Sequence, residues 1–189
     1  MTMETTLYLV RHGQTEENVA NILQGHLQGH LTAEGIAQAS RLRDELAGTH
    51  FDAILCSDLQ RCADTAAILN EPHHLTVEYT TLLRERDWGP FTGMNILQAR
   101  QIIDERAEST ESMYRRAELF LRDVLARFEG RTVLAVSHGL FCRVIQGACF
   151  GKAIREIPRM ENAEVRRLSL PASFHANLWY EEESGATAN

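Results

Sequence analysis

Three short runs of continuously apolar character, Leu7–Val10, Ala53–Cys56 and Val133–Ser137, punctuate the chain. Their length and lack of alternation predict β-strands covered on both faces. Between them the pattern changes to helical spacing. Ile36, Ala39, Leu42 and Leu46 follow Leu31-Thr32 and an acidic turn, and Gly48 closes that amphipathic helix. Leu59, Cys62, Ala66 and Leu69 form the inner stripe of a second helix, capped by Ser57 or Asp58 and stopped before Pro72. Met113, Ala117, Phe120, Leu121, Val124 and Phe128 mark a third, ending at Gly130, and Leu140, Val144 and Ala148 a fourth. Val165–Leu170 and Phe174–Tyr180 read as two late strands around Pro171, an antiparallel edge hairpin, and the small, polar, acidic tail 181–189 reads as disordered. Strands alternating with helices predict a three-layer α/β sandwich, a mostly parallel sheet with helices on both faces and a possible antiparallel edge strand. No repeat or linker divides the chain, so residues 1–180 are expected to form one domain.

Composition narrows the partners more than the fold. The chain has 189 residues, 44% hydrophobic and 24% charged, with a net charge of −7. An acidic chain is a poor match for nucleic acid or an anionic membrane, and any attraction for an anionic ligand must come from locally clustered arginines. No apolar segment is long enough to span a bilayer, and Met1–Thr6 lacks the basic start of a signal peptide, so a cytoplasmic location is expected. Cys56, Cys62, Cys142 and Cys149 show no CxxC pair and read as buried thiols. No pattern specifies an oligomeric state.

The chemistry gathers where the strands end. Arg11-His12-Gly13 follows the first run, Ser57 ends the second, and His138-Gly139 follows the third. Ligands of open α/β sheets bind beyond the carboxyl ends of strands, so these residues converge on one pocket. Two imidazoles facing one another, with an adjacent arginine, suit in-line attack on a phosphoryl group. Gly13 allows close backbone approach, the amides of the following turn can point at an anion, and Thr15 and Asn18 offer neutral donors. Arg11 carries a planar fork matched to phosphate oxygens, and a helix starting after Ser57 aims Arg61 at the same place. Nearby positive charge keeps an imidazole neutral and nucleophilic. The leaving oxygen needs a proton, and the glycine-bounded loop Arg84-Glu85-Arg86-Asp87 offers two carboxyl groups.

Four motifs in this order resemble the histidine phosphatase superfamily, in its phosphoglycerate-mutase-like branch. They are Arg11-His12-Gly13, Ser57-Asp58-Leu59-x-Arg61-x-x-x-Thr65, Leu83-Arg84-Glu85 and Ser137-His138-Gly139. The resemblance implies a phosphohistidine on His12, with His138 and the proton donor Glu85 completing the catalytic set. It implies that Arg11, Arg61 and His138 bind the phosphoryl group, with Asn18 and Gly139 assisting, and that neither metal nor cofactor is required. The substrate is then a small phosphomonoester. Glu108-Ser109, ahead of Arg116, resembles a further motif at the pocket rim, although Glu108 and Arg116 also suit a structural ion pair. Residues 94–112 are expected to form a lid.

The chain departs from the family pattern mainly at the mouth. Gln28 replaces a usual aspartate, His30 a usual proline, Thr92 a glutamate and Ala107 a glycine. His26 and His30 stand four apart without a neighbouring acidic or cysteine ligand, which favours exposed residues over a metal site. Glu85 and His138 are only 53 positions apart (138 − 85), whereas mutases of the family carry a longer insertion there. The short cap favours hydrolysis over mutase chemistry. A non-catalytic phospho-ligand module would not require the acid.

Overall fold

The computed structural model describes residues 4–172. Five strands, β1 (Thr5–Arg11), β2 (Ala53–Ser57), β3 (Val77–Thr80), β4 (Thr132–Ser137) and β5 (Val165–Leu170), form one sheet in the order β3-β2-β4-β1-β5. The first four are mutually parallel, and β5 runs antiparallel to β1 at the edge. The expected partner strand Phe174–Tyr180 and the tail 181–189 lie outside the described residues.

Alternation along each central strand feeds two different cores. Leu7, Leu9, Ala53, Leu55, Val133 and Ala135 face the layer formed by α5 (Thr110–Phe128) and α6 (Gly139–Phe150). Val10, Ile54, Cys56, Leu134 and Val136 face α2 (Ala33–Leu46) and α3 (Gln60–Asn70). Each fully buried Leu, Ile or Val on these faces contributes about 1.5–3 kcal/mol. The expected three-layer sandwich is thus present, with Cys56, Cys62 and Cys142 buried as free thiols and Cys149 half-buried. No described helix is long and apolar enough to cross a membrane.

Two short helices, α1 (Glu16–Val19) and α4 (Ile96–Ala99), belong to the loops beyond the strand ends. Residues of 88–107 pack a small core of their own, with Phe91, Ala99 and Ala107 gathered on Leu23. Backbone bonds from Leu23 to Met94, Gly93 to Leu23 and Ile96 to Asn21 fasten that segment beside the strand ends.

Several local expectations are corrected. Ile36 is 49% exposed rather than buried, and α2 is capped by Ala47 after Leu46 without using Gly48. Neither Ser57 nor Asp58 caps α3. Leu59 occupies the cap position, Asp58 forms a bidentate pair with Arg84 at 2.5 and 2.7 Å, and Ser57 turns toward His138. The missing cap acceptor is supplied from another loop, by Gln28 Oε1 accepting from the Gln60 amide at 3.0 Å. A carboxyl-to-amide change at position 28 therefore keeps an acceptor oxygen there.

Candidate active site

The β1, β2 and β4 carboxyl ends lie side by side, with β4 between the other two. His12, Ser57 and His138 consequently meet, and the two imidazole centroids are 5.3 Å apart. The His12 main chain is pinned from both sides. Its N–H donates to Ser137 O at 2.9 Å, and its carbonyl accepts from Asn162 Nδ2 at 3.1 Å. Gly13 is required at the next position, because a Cβ there would stand 2.5 Å from the Gly35 carbonyl oxygen of α2.

His12 Nδ1 lies 2.7 Å from Gly13 O. A carbonyl can only accept, so Nδ1 carries the proton and Nε2 keeps its lone pair. Burial, with Arg61 and Arg11 close by, holds this imidazole well below its ordinary pKa. The ring is neutral at neutral pH, with its unprotonated nitrogen turned from the Gly13 carbonyl. His138 has the opposite tautomer. Its Nδ1 accepts from Arg61 Nε at 3.1 Å, which leaves the proton on Nε2, 2.8 Å from Ser57 Oγ. Burial and the charge of Arg61 hold His138 well below its ordinary value too. Both its nitrogens are engaged within the protein.

Arg61 is 1% exposed and forms no ion pair among the described residues, though the charges of Glu85 and Glu17 reach it. Nη1 donates to the carbonyls of Leu27 and Gln28, and Nη2 to that of Gly25 at 2.8 Å. Four of the five guanidinium N–H groups are thereby committed, fixing the plane of the cation. Arg11 donates from Nη1 to Met160 O at 2.6 Å, whereas its Nε is buried without a partner. A buried, unsatisfied cationic donor costs stability unless an anion completes it. Gly139 makes room for that guanidinium, since a Cβ would come within 3.0 Å of Arg11 Nε.

One cavity of about 290 Å³ is lined by Arg11, His12, Asn18, Arg61, Glu85 and Gly139, whereas His138, expected to touch the phosphoryl group, is wholly buried and is not part of its lining. Asn18 both caps and faces it. Its Oδ1 accepts from Thr15 N and from Asn162 Nδ2, leaving its own Nδ2 as a donor. Glu85 sits across the start of α6, where Oε1 accepts from Arg86 N and Phe141 N and Oε2 from Leu140 N, all at 2.9–3.1 Å. Asp87, the other carboxyl of that loop, accepts from Gly89 N and lines a different cavity.

The turn after Gly13 does not offer its amides to an anion. Those of Gly13, Gln14 and Thr15 donate to Thr65 Oγ1, Gln38 Oε1 and Asn18 Oδ1. The motif threonine, Thr65, therefore ties the His12 loop to α3. Arg116 and Glu108 form an ion pair at 2.9 Å, and Arg116 also donates to the Leu82 and Arg84 carbonyls beneath the acid loop. His26 does not join His30; its Nε2 lies 3.0 Å from Glu85 O, and His30 is exposed.

A family model described as "Histidine phosphatase superfamily (branch 1)" matches residues 7–179. The chain belongs to this superfamily. Among its relatives in the superfamily, a broad-specificity phosphatase of Saccharomyces cerevisiae is 39% identical over 109 residues, 55% of this chain and 47% of the yeast protein. The chain thus spans about half the length of that relative. "Probable phosphoglycerate mutase GpmB" of Proteus mirabilis is 30% identical over 198 residues, 95% of this chain and 92% of that one. The solved structure of YhfR from Bacillus stearothermophilus superposes with a TM-score of 0.84 at 28% identity, covering 91% of this chain and 95% of that one.

Sequence reasoning missed several residues around this histidine phosphatase site. Asn162 reaches His12 from 150 positions away because it stands three residues before β5, the antiparallel neighbour of β1. No local pattern marks it. Arg100, Arg143 and Arg159 also line the cavity, each from a segment outside the four motifs.

Proposed function

We propose that this chain is a metal-independent phosphomonoesterase that hydrolyses a small phosphorylated metabolite through a phosphohistidine on His12. The observation that carries the reading is the neutral His12 tautomer, Nδ1–H on Gly13 O and Nε2 unprotonated, beside Arg11 and Arg61. Nε2 attacks phosphorus as the P–O bond to the alcohol breaks, and Glu85 hands a proton to the departing oxygen. Oε2, with one amide bond against two on Oε1, is the oxygen freer to carry that proton. Water then attacks the phosphohistidine, gives its proton to Glu85, and inorganic phosphate leaves.

Arg11 and Arg61 stabilise charge on the transferring group, aided by Asn18 and by Gly139 at the start of α6. His138 is a positioning residue in this scheme: it fixes the Arg61 guanidinium, and Ser57 fixes its tautomer. Residues 94–112 form the lid of a single catalytic unit. The free thiols are in keeping with a cytoplasmic setting, and the net charge of −7 with a small anionic substrate rather than nucleic acid or membrane.

Mutase chemistry uses the same intermediate and must exclude water while a product is re-phosphorylated. The short connection from Glu85 to His138 favours hydrolysis. The test is rapid quench with ³²P-labelled substrate. Label stable to base and labile to acid is expected on the wild type and absent from His12→Ala, with phosphate release lost as well. Label persisting on the variant would overturn the choice of nucleophile.

A further inference from the structure

The lining of the His12 cavity is of two kinds, apolar and cationic. Its apolar lining is Ile22, Leu23, Ile96, Ile103 and Leu140 with Trp88, of which Leu23, Trp88, Ile96 and Ile103 pack in one cluster. Three further arginines line it: Arg100 just after α4, Arg143 within α6, and Arg159 in the segment leading to β5. Arg100 and Arg159 are exposed, and neither makes a side-chain hydrogen bond or ion pair among the described residues. Arg143 is held by the carbonyls of Ile157 and Ile154 at 2.9 and 2.5 Å, not by a carboxylate. It lies close enough to Arg159 to feel its charge.

Five arginines therefore line a cavity whose sole carboxylate among the described residues is Glu85, in a chain of net charge −7. Elsewhere the described arginines pair readily, as Arg41 does with Glu34 and Arg127 with Asp123 and Glu78. Two of the five serve the phosphoryl group in the proposed reaction. The other three have no such duty; as cations without a carboxylate partner lining one cavity, they raise its attraction for an anion.

We propose that Arg100, Arg143 and Arg159 form a second anion subsite, so that the substrate is a bis-anionic phosphomonoester. Its phosphoryl group meets His12, a compact apolar body lies on the Leu23 and Trp88 wall, and a carboxylate or second phosphate meets the three arginines. The assignment deepens the phosphatase reading and rests on it for the orientation of the ligand. A cavity of about 290 Å³ stands at the small end of metabolite pockets and suits a body the size of one ring. A phosphoglycerate carries both charges but leaves the apolar wall uncovered. A neutral sugar phosphate leaves the three arginines unanswered.

The test uses three aryl methylphosphonates that differ only at the distal end of a propanoyl arm para to the phosphonate: carboxylate, phosphonate or primary amide. Affinities measured by calorimetry on the full chain read the subsite without requiring turnover. At low salt the carboxylate or distal phosphonate is expected to bind about tenfold more tightly than the amide. That ratio should fall toward one in 0.5 M NaCl and in Arg100→Gln/Arg159→Gln. Which anion binds more tightly separates a carboxylate substrate from a bisphosphate. Equal affinity of anion and amide in the wild type overturns the subsite, as does a ratio that survives in the double variant. Phosphate release from the corresponding aryl phosphates reads the other assignment. Binding with the expected ratio but no hydrolysis would sink the phosphatase reading and leave the subsite standing.

Discussion

Two buried imidazoles without a facing carboxylate make this protein sensitive to acid. His12 and His138 are both held below the ordinary imidazole value, first by burial and then by Arg61. In the unfolded chain each titrates near pH 6.5. Their stabilising contribution is complete above that pH and is lost on acidification, as the unfolded chain takes up protons that the folded one refuses. Between pH 6.5 and 5.5 each ring should cost about 1 kcal/mol, read from urea unfolding, and His12→Asn should remove about half of the combined effect. The Ser57 hydroxyl is the partner of the His138 Nε2–H. Ser57→Ala leaves that buried donor only the weak acceptor Cys62 Sγ, 3.4 Å away, and should lower stability by about 1–3 kcal/mol. Loss of the fixed tautomer should also loosen Arg61, raising KM for the phosphomonoester more than it lowers kcat. An unchanged KM would remove Ser57 from the positioning role. At this scale the motif residues were legible because they adjoin strand ends, whereas Asn162 and His26 act through hydrogen bonds that no local pattern encodes.

Among the elements, β1, β2 and β4 were readable because central strands covered on both faces must be apolar throughout. β3 was missed for the converse reason: Val77-Glu78-Tyr79-Thr80 is an edge strand with two exposed and two half-buried residues, and carries no apolar run. The single turns α1 and α4 are too short to show a helical period. Ser57 and Asp58 look like caps, and tertiary partners outcompeted that local role. The join between β1 and α2 is the tightest joint near the site. Gly13→Ala would set a methyl group against the Gly35 backbone. It should destabilise the protein by about 1–3 kcal/mol in chemical denaturation, with a further loss of turnover as His12 shifts.

The whole molecule divides into a large sandwich and a small cap. The sandwich is fixed by two extensive cores and a five-strand ladder, the cap by the Leu23, Phe91, Ala99 and Ala107 cluster and a few backbone bonds. Amides of residues 93–107 should therefore exchange with solvent through local opening, well before those of β1 and β4. Phe91→Ala should hasten exchange across 88–107 while leaving the slowest strand amides almost unchanged. Loss of protection throughout the chain would show that cap and sandwich unfold as one. Charge at this scale also divides: the acidic total hides an arginine-lined cavity, which composition alone could not locate.

The grip of Arg61 on the carbonyls of Gly25, Leu27 and Gln28 has a consequence for how such an enzyme can diversify. The cation holds the loop by its main chain, which every amino acid supplies alike. The exposed Leu27 side chain can be exchanged over generations without disturbing the charge beneath it, whereas Gly25 is kept by its left-handed backbone and Gln28 by its bond to the start of α3. Selectivity can drift while turnover is inherited intact.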